Sequence, residues 1–279
     1  MKTFFWFFTI GLLFLYSCTS TPEPVSEYVT YTTTSDSALF YYKKGWEQIM
    51  DFGEYGNAEV TYRKALSFDP DFLVGKSVLA RLTTDLDERV ALYNELESRK
   101  NEISGDERLI LDVYIALTHY TNLRDQEDNS VRNALQEAFR LGEENLRKIV
   151  HAYPHEVYLK SEYIEVIHSV HGAQASLDSL STLITEEQKS NPFLLGYHAT
   201  LNAELQNYEA ALADAQVLAE ILRGKDIAKP DAIFADIYFK MGNLEEAKKY
   251  ADRANEIDPR NLDASRLKNR IDAALERKN

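Results

Sequence analysis

The sequence predicts an all-α fold: an α-α superhelix of about six helical hairpins closed by a C-terminal capping helix. Three observations predict it. The stretch Asp231 to Asn261 reads as two short helices around a tight turn, and its spacing recurs near the start of the chain. Strand-like alternation is confined to Tyr28 to Thr34, in a chain of 279 residues with only eleven glycines and seven prolines to break helices.

In the late stretch Ile233, Phe234, Ile237, Tyr238 and Met241 form an apolar stripe at helical spacing, and Gly242-Asn243 interrupts it. Ala247, Ala251 and Ala254 then share one face of a second arm that Asp258-Pro259 ends. Small side chains on that face let the two arms approach closely. In the early stretch Gly53, Tyr55, Ala58, Tyr62, Ala65 and Pro70 stand at offsets of 2, 5, 9, 12 and 17 from the glycine. Gly242, Leu244, Ala247, Ala251, Ala254 and Pro259 repeat those offsets. A third copy, Tyr208 with Ala211, Ala215 and Leu218, replaces the glycine by Gln206 and the closing proline by Arg223. On these positions the sequence resembles the tetratricopeptide repeat family, whose unit is a helical hairpin of about 34 residues.

The ends of the chain differ from its middle. Lys2 precedes an apolar run, Phe4 to Tyr16, which is too short to span a bilayer needing about 20 apolar residues. Leu15-Tyr16-Ser17-Cys18 follows, and residues 1–17 look like a bacterial lipoprotein signal with Cys18 as the lipidated residue. Cys18 is the single cysteine, so disulfides within one molecule are excluded. Residues 18–35 are polar with two prolines, which reads as a flexible tether. Residues 36–279 form the repeat domain. Thr19 after Cys18, by resemblance to enterobacterial sorting, implies an outer-membrane address in the cell envelope, facing the periplasm. The formal charge of minus 14 disfavours nucleic acid and anionic lipid as partners of the domain, because phosphate binding needs a basic surface.

Asp36 or Ser37 is placed to cap the first helix. Phe72 to Leu82 and Leu86 to Arg99 make a second hairpin without a turn glycine. Ser104 and Glu107 have the spacing of a capping box at the start of the third, oversized hairpin, whose long second helix runs from about Val131 to His151. The fourth turns at Gly172 and continues to about Gln188; the fifth covers Phe193 to Leu222. Asn261 caps a last helix whose charged outer face suits the end of a stack. Residues 71–190 are where irregular stacking is expected.

In the family the first helix of each hairpin lines the concave side. The resemblance therefore implies a groove containing Phe40, Lys43, Glu47 and Met50 from the first unit, Phe193, Gly196, Thr200 and Ala203 from the fifth, and Lys229, Ala232, Asp236 and Phe239 from the sixth. The family's basic clamp for peptide carboxylates is absent: Lys43 is in place, but Glu47 stands where an amide is needed.

No constellation for chemistry emerges. Gly75-Lys76-Ser77 lacks the first glycine of a phosphate loop, since residue 70 is proline. Asp125, Glu127 and Asn129 resemble a calcium loop, but Ser130 and Gln136 occupy the required glycine and glutamate places. His151 and His155 lie about 20 Å along a helix from Glu165, His168 and His171, so they make no single metal site. The expectation is a lipid-anchored adaptor that binds a protein or peptide partner in its groove, without catalysis, metal or cofactor. The alternative is a small-molecule or glycan binding accessory of an uptake system, signalled by Tyr and Trp exposed together on the concave face.

Overall fold

A computed structural model describes residues 27–278, and among these no strand occurs. The fold is the all-α superhelix of stacked hairpins. The first pairs α1 (Asp36–Glu47), extended by a π-helical turn (Gln48–Phe52), with α2 (Tyr55–Phe68). The second pairs α3 (Leu73–Leu82) with α4 (Leu86–Arg99). In the third, α5 (Gly105–Asp125) faces α6 (Val131–Leu141), which runs through a π-helical turn (Gly142–Leu146) into α7 (Arg147–Ala152). The fourth joins α8 (Val157–His171) to α9 (Ala173–Leu183), and the fifth α10 (Pro192–Glu204) to α11 (Tyr208–Ile221). The sixth joins α12 (Lys229–Lys240) to α13 (Leu244–Ile257), and α14 (Leu262–Lys278) caps the stack.

The turn glycines explain why the repeat spacing is read so clearly. Gly53 and Gly242 sit at φ 73° and 79°, a left-handed conformation that a Cβ disfavours. The third copy keeps this conformation without glycine: Gln206 has φ 63°. The turn geometry is therefore imposed on Gln206 by the packing of the two arms. On the arm faces Ala58, Ala65, Ala211, Ala215, Ala247 and Ala254 are fully buried, as the small-residue spacing requires.

The aromatic core sits where the first hairpin meets the third and fourth. Tyr42, Trp46, Tyr62 and Phe72 pack edge to face, and Trp46 lies nearly parallel to Tyr158 of α8 with ring centres 6.3 Å apart. Such ring pairs add roughly 0.5–1.5 kcal/mol each beyond area burial. Stacking departs from a regular repeat in the middle of the chain, as expected. The π-helical turn of the third hairpin seats α8, and a Cβ at Gly142 would meet Val166 at 2.9 Å.

Several local expectations are corrected. Ser35, not Asp36 or Ser37, caps α1, accepting from the Ala38 amide at 3.2 Å. Ser104 makes no side-chain cap, and the Glu107 carboxylate, instead of reaching back to it, is taken by Thr32, whose amide and hydroxyl donate to it at 2.8 and 3.1 Å. The 18–35 tether falls partly outside the described residues, but its end is docked. There the Val29 amide donates to Glu156 at 2.8 Å and Tyr31 packs on Tyr42 and Phe72. The alternation of Tyr28 to Thr34 is thus an extended strap whose partners are side chains instead of a second strand. The second arm of the fourth hairpin ends at Leu183, short of Gln188. Gln188 lies in a short 3₁₀ turn (Glu186–Ser190), accepting from the fully buried Lys160 ammonium, which also donates to the Pro154 and Leu183 carbonyls at 2.8 and 2.6 Å.

Two outcomes follow from these features. Gln206→Gly removes the cost of a Cβ in a left-handed turn, and its gain is partly offset by the freedom of glycine in the unfolded chain; urea unfolding should show about 0.5–1 kcal/mol of added stability. Burial holds the Lys160 pKa down at about 8 against 10.5 for a free lysine. Between those values the unfolded chain binds more protons than the folded one, so this residue makes stability rise as pH climbs from 8 toward 10. In Lys160→Met that rise should be lost, whatever the variant's absolute stability.

Candidate functional site

The ends of the stack touch. The Asn261 amide, whose oxygen caps α14 by accepting from Ala264 at 2.9 Å, donates to the Gly53 carbonyl at 3.0 Å. Arg260 meets Glu59 at 2.5 Å, and the Lys229 ammonium donates to the Met50 carbonyl while lying 4.6 Å above the Phe193 ring. Between these contacts Asp51, 6% exposed, accepts from Tyr158 Oη at 2.9 Å, Asn191 Nδ2 at 3.0 Å and the Phe193 amide at 3.2 Å. Burial pushes the Asp51 carboxyl above its ordinary value, opposed by those three donors and by Lys229. The superhelix closes on itself instead of leaving an open groove.

Closure leaves an axial cavity of about 540 Å³. Its walls come from first arms, α1, α3, α8, α10 and α12, and from α14. Of the residues expected in the groove, Met50, Phe193, Thr200, Lys229, Ala232 and Asp236 line it. Phe40, Lys43, Glu47 and Phe239 do not. Phe40 is 60% exposed on the outside of α1, with Lys43 and Glu47 on the same exposed stripe. Phe239 is held against the last hairpin and cap beneath Arg270. Only the C-terminal end of α1 turns inward, because its π-helical extension is the part that the fifth hairpin grips. Gly196 and Ala203 are buried in packing, and Tyr197 and Glu204, one residue along, take the cavity side.

The polar lining is divided. On the α8 and α10 side stand Glu162, Glu165, His168 and Glu204; on the α12 and α14 side Lys240, Arg266 and Arg270. Arg81 donates to Glu162 Oε1 at 2.7 Å and stacks over Tyr114, while buried Glu162 Oε2 has no partner among the described residues. His168 bridges Tyr197 Oη at 2.7 Å and Glu204 at 3.2 Å. Asp236 pairs with Lys240. Arg266 and Arg270 have no carboxylate partner among the described residues. Glu165 and His168 enter the sequence reading only as a rejected metal pair, and the others escape it because nothing local marks them: the basic pair lies on a cap helix whose charges read as solvated surface, and Glu162 and Glu204 on helices whose acids read the same way.

The motifs that resemble phosphate and calcium loops are structural. Lys76 lies inside α3 and pairs with Glu95, and Ser77 donates to the Val74 carbonyl. Asp125 ends α5 paired with Arg89 and Arg124. Among the described residues no group of three or more His, Cys, Asp or Glu is placed to hold a metal ion. Cys18 lies outside the described residues.

Two family profiles match, each over one end of the folded chain. The tetratricopeptide repeat profile matches residues 38–72, and the Fis1 C-terminal tetratricopeptide repeat profile matches residues 238–278. The chain carries tetratricopeptide repeats at both ends of its fold. Comparison with curated proteins returned no match. The matched repeats are those with a turn glycine and closing proline, and they are also the two that meet at the ring closure.

Asn261→Ala removes a cap and leaves the Gly53 carbonyl without its partner, a loss of about 1–3 kcal/mol. Small-angle scattering should show a larger radius of gyration than wild type only when Asn261→Ala is combined with Lys229→Ala and Arg260→Ala, since the Lys229 and Arg260 contacts also hold the seam.

Proposed function

We propose that this tetratricopeptide repeat protein is a lipid-anchored adaptor of the cell envelope, held through Cys18 at the outer membrane and facing the periplasm. It takes a short segment of a partner polypeptide into its axial cavity and carries out no chemistry itself. Repeats of this kind form protein-interaction scaffolds, and the cavity is the observation that carries the finer reading. Its volume of about 540 Å³ suits a few residues of an extended chain and excludes a folded domain. The acidic wall of α8 and α10 opposes the basic pair Arg266 and Arg270, with Phe193 and Tyr197 stacked at 5.4 Å beside them. That arrangement complements a peptide bearing charges of both signs around an apolar side chain.

The volume also suits a small molecule, which is the second reading. Against a glycan, Trp46 lines the cavity but is only 5% exposed, its faces covered by neighbouring tyrosines, so no open aromatic platform is offered.

The test is photocrosslinking in the native envelope from a benzophenone amino acid at Thr200. A single partner should be trapped by the wild-type background. Arg266→Glu combined with Arg270→Glu should reduce its yield about tenfold, as charge reversal in a recognition site does. Cys18→Ala should release the chain from the membrane fraction. A chain that stays on the membrane and traps no protein from Thr200 would overturn the adaptor reading in favour of a small ligand.

A further inference from the structure

Of eight large hydrophobic side chains exposed among the described residues, four, Tyr28, Phe40, Val60 and Phe68, fall between residues 28 and 68. Phe40 lies on α1, Val60 and Phe68 lie on α2, and Tyr28 lies on the strap that leads into the first hairpin. Phe40 packs on Tyr41 at 5.2 Å, Tyr41 stacks parallel on Phe68 at 5.6 Å, and Lys64 lies 5.0 Å over the Phe68 ring. Val60, Lys64 and Phe68 succeed one another at one-turn intervals along α2. On α1, Lys43 reaches the Tyr28 ring at 5.7 Å, and Lys44 is exposed one turn beyond Phe40. Among the described residues no other hairpin covers this side.

The charge here runs against the rest of the molecule. In a chain of net charge minus 14, Lys44 and Lys64 form no ion pair among the described residues, Lys43 faces the Glu156 carboxylate beside the Tyr28 ring, and exposed Asp36 and Glu47 lie at the ends of the α1 stripe. Solvent-exposed phenylalanine rings among exposed lysines match the interface of an anionic bilayer, where rings lie at headgroup depth and ammonium groups reach phosphate. The chain outside the described residues points to the same occupant. It holds the apolar run Phe4 to Tyr16 and Cys18, and the ten residues from Cys18 to Tyr28 reach at most about 35 Å.

We infer that the outer face of the first hairpin, formed by Tyr28, Phe40, Tyr41 and Phe68 with Lys43, Lys44 and Lys64, docks on the anionic surface of a lipid bilayer. This rests on the anchoring reading above, and it adds an orientation: the domain lies against the membrane on the outer face of its first hairpin. It also accounts for Phe40 and Lys43, which the ring leaves outside its cavity.

The experiment uses the full-length lipidated protein in vesicles of phosphatidylethanolamine and phosphatidylglycerol. Because the one native cysteine is then blocked by lipid, Ser37→Cys beside Phe40 and Lys249→Cys on the last hairpin can each be labelled alone with a polarity-sensitive fluorophore. Brominated lipids should quench the label at 37 about threefold more strongly than the label at 249, as immersion at the interface requires. Adding Phe40→Ser and Phe68→Ser should bring the first value down to the second while the chain still floats with the vesicles. Equal quenching at both positions on floated protein overturns the docking and leaves the anchor standing. Protein that does not float overturns both. Concentration-dependent burial of the label at 37 in detergent without lipid overturns it in favour of a second copy of the chain on this face.

Discussion

Asp51 is the point on which the rest of the structure depends. It is a carboxylate carried into the interior at the end of the first helix, and every donor around it comes from another part of the chain: Tyr158 from the fourth hairpin, Asn191 and the Phe193 amide from the fifth, with Lys229 of the sixth close by. A buried charge is tolerated only when it is well coordinated. The coordination of Asp51 exists only when the superhelix has turned far enough to bring those elements together. The same requirement positions Met50 and Gly53, whose carbonyls then receive Lys229 and Asn261.

A closed ring changes what a repeat protein presents. In an open stack the inner helices offer a trough of indefinite length; here the trough is reduced to a bounded cavity whose walls carry opposite charge on opposite sides. The walls are stiff because each is tied elsewhere. Trp46 is stacked on Tyr158, Arg81 is pinned between Glu162 and Tyr114, and Tyr197 is locked by His168 and Phe193. Pre-ordered walls lower the entropy lost when a flexible segment enters, which favours short recognition elements over broad interfaces. Arg266 and Arg270, which form no ion pair among the described residues, belong to α14, the element whose position depends most directly on the seam.

The surface follows the same division of labour. The strap from Val29 to Thr33 fastens the chain's entry across the third and fourth hairpins through Glu107 and Glu156, so the approach to the domain is a fixed feature of its shape. The aromatic and lysine residues of the first hairpin lie beside that entry, while the cavity is enclosed by the hairpins behind them. The exposed aromatic and lysine face and the cavity thus lie on different sides of the first hairpin.

What the sequence by itself determined is local. The turn glycines, the alanine spacing, the closing prolines and the hairpin count are short-range facts, because a left-handed turn residue and a small-residue helix face act within a single hairpin. Even Asn261 as the cap of α14 was legible. The tertiary structure decided the closure, the tilt that sends Phe40 and Lys43 outward and Met50 inward, the shift from Gly196 and Ala203 to Tyr197 and Glu204 on the cavity wall, and the capture of Glu107 by Thr32. Each of these depends on the rotation accumulated over successive hairpins and on contacts between residues far apart in the chain, such as the 208 positions that separate Gly53 from Asn261. No window of sequence contains that sum.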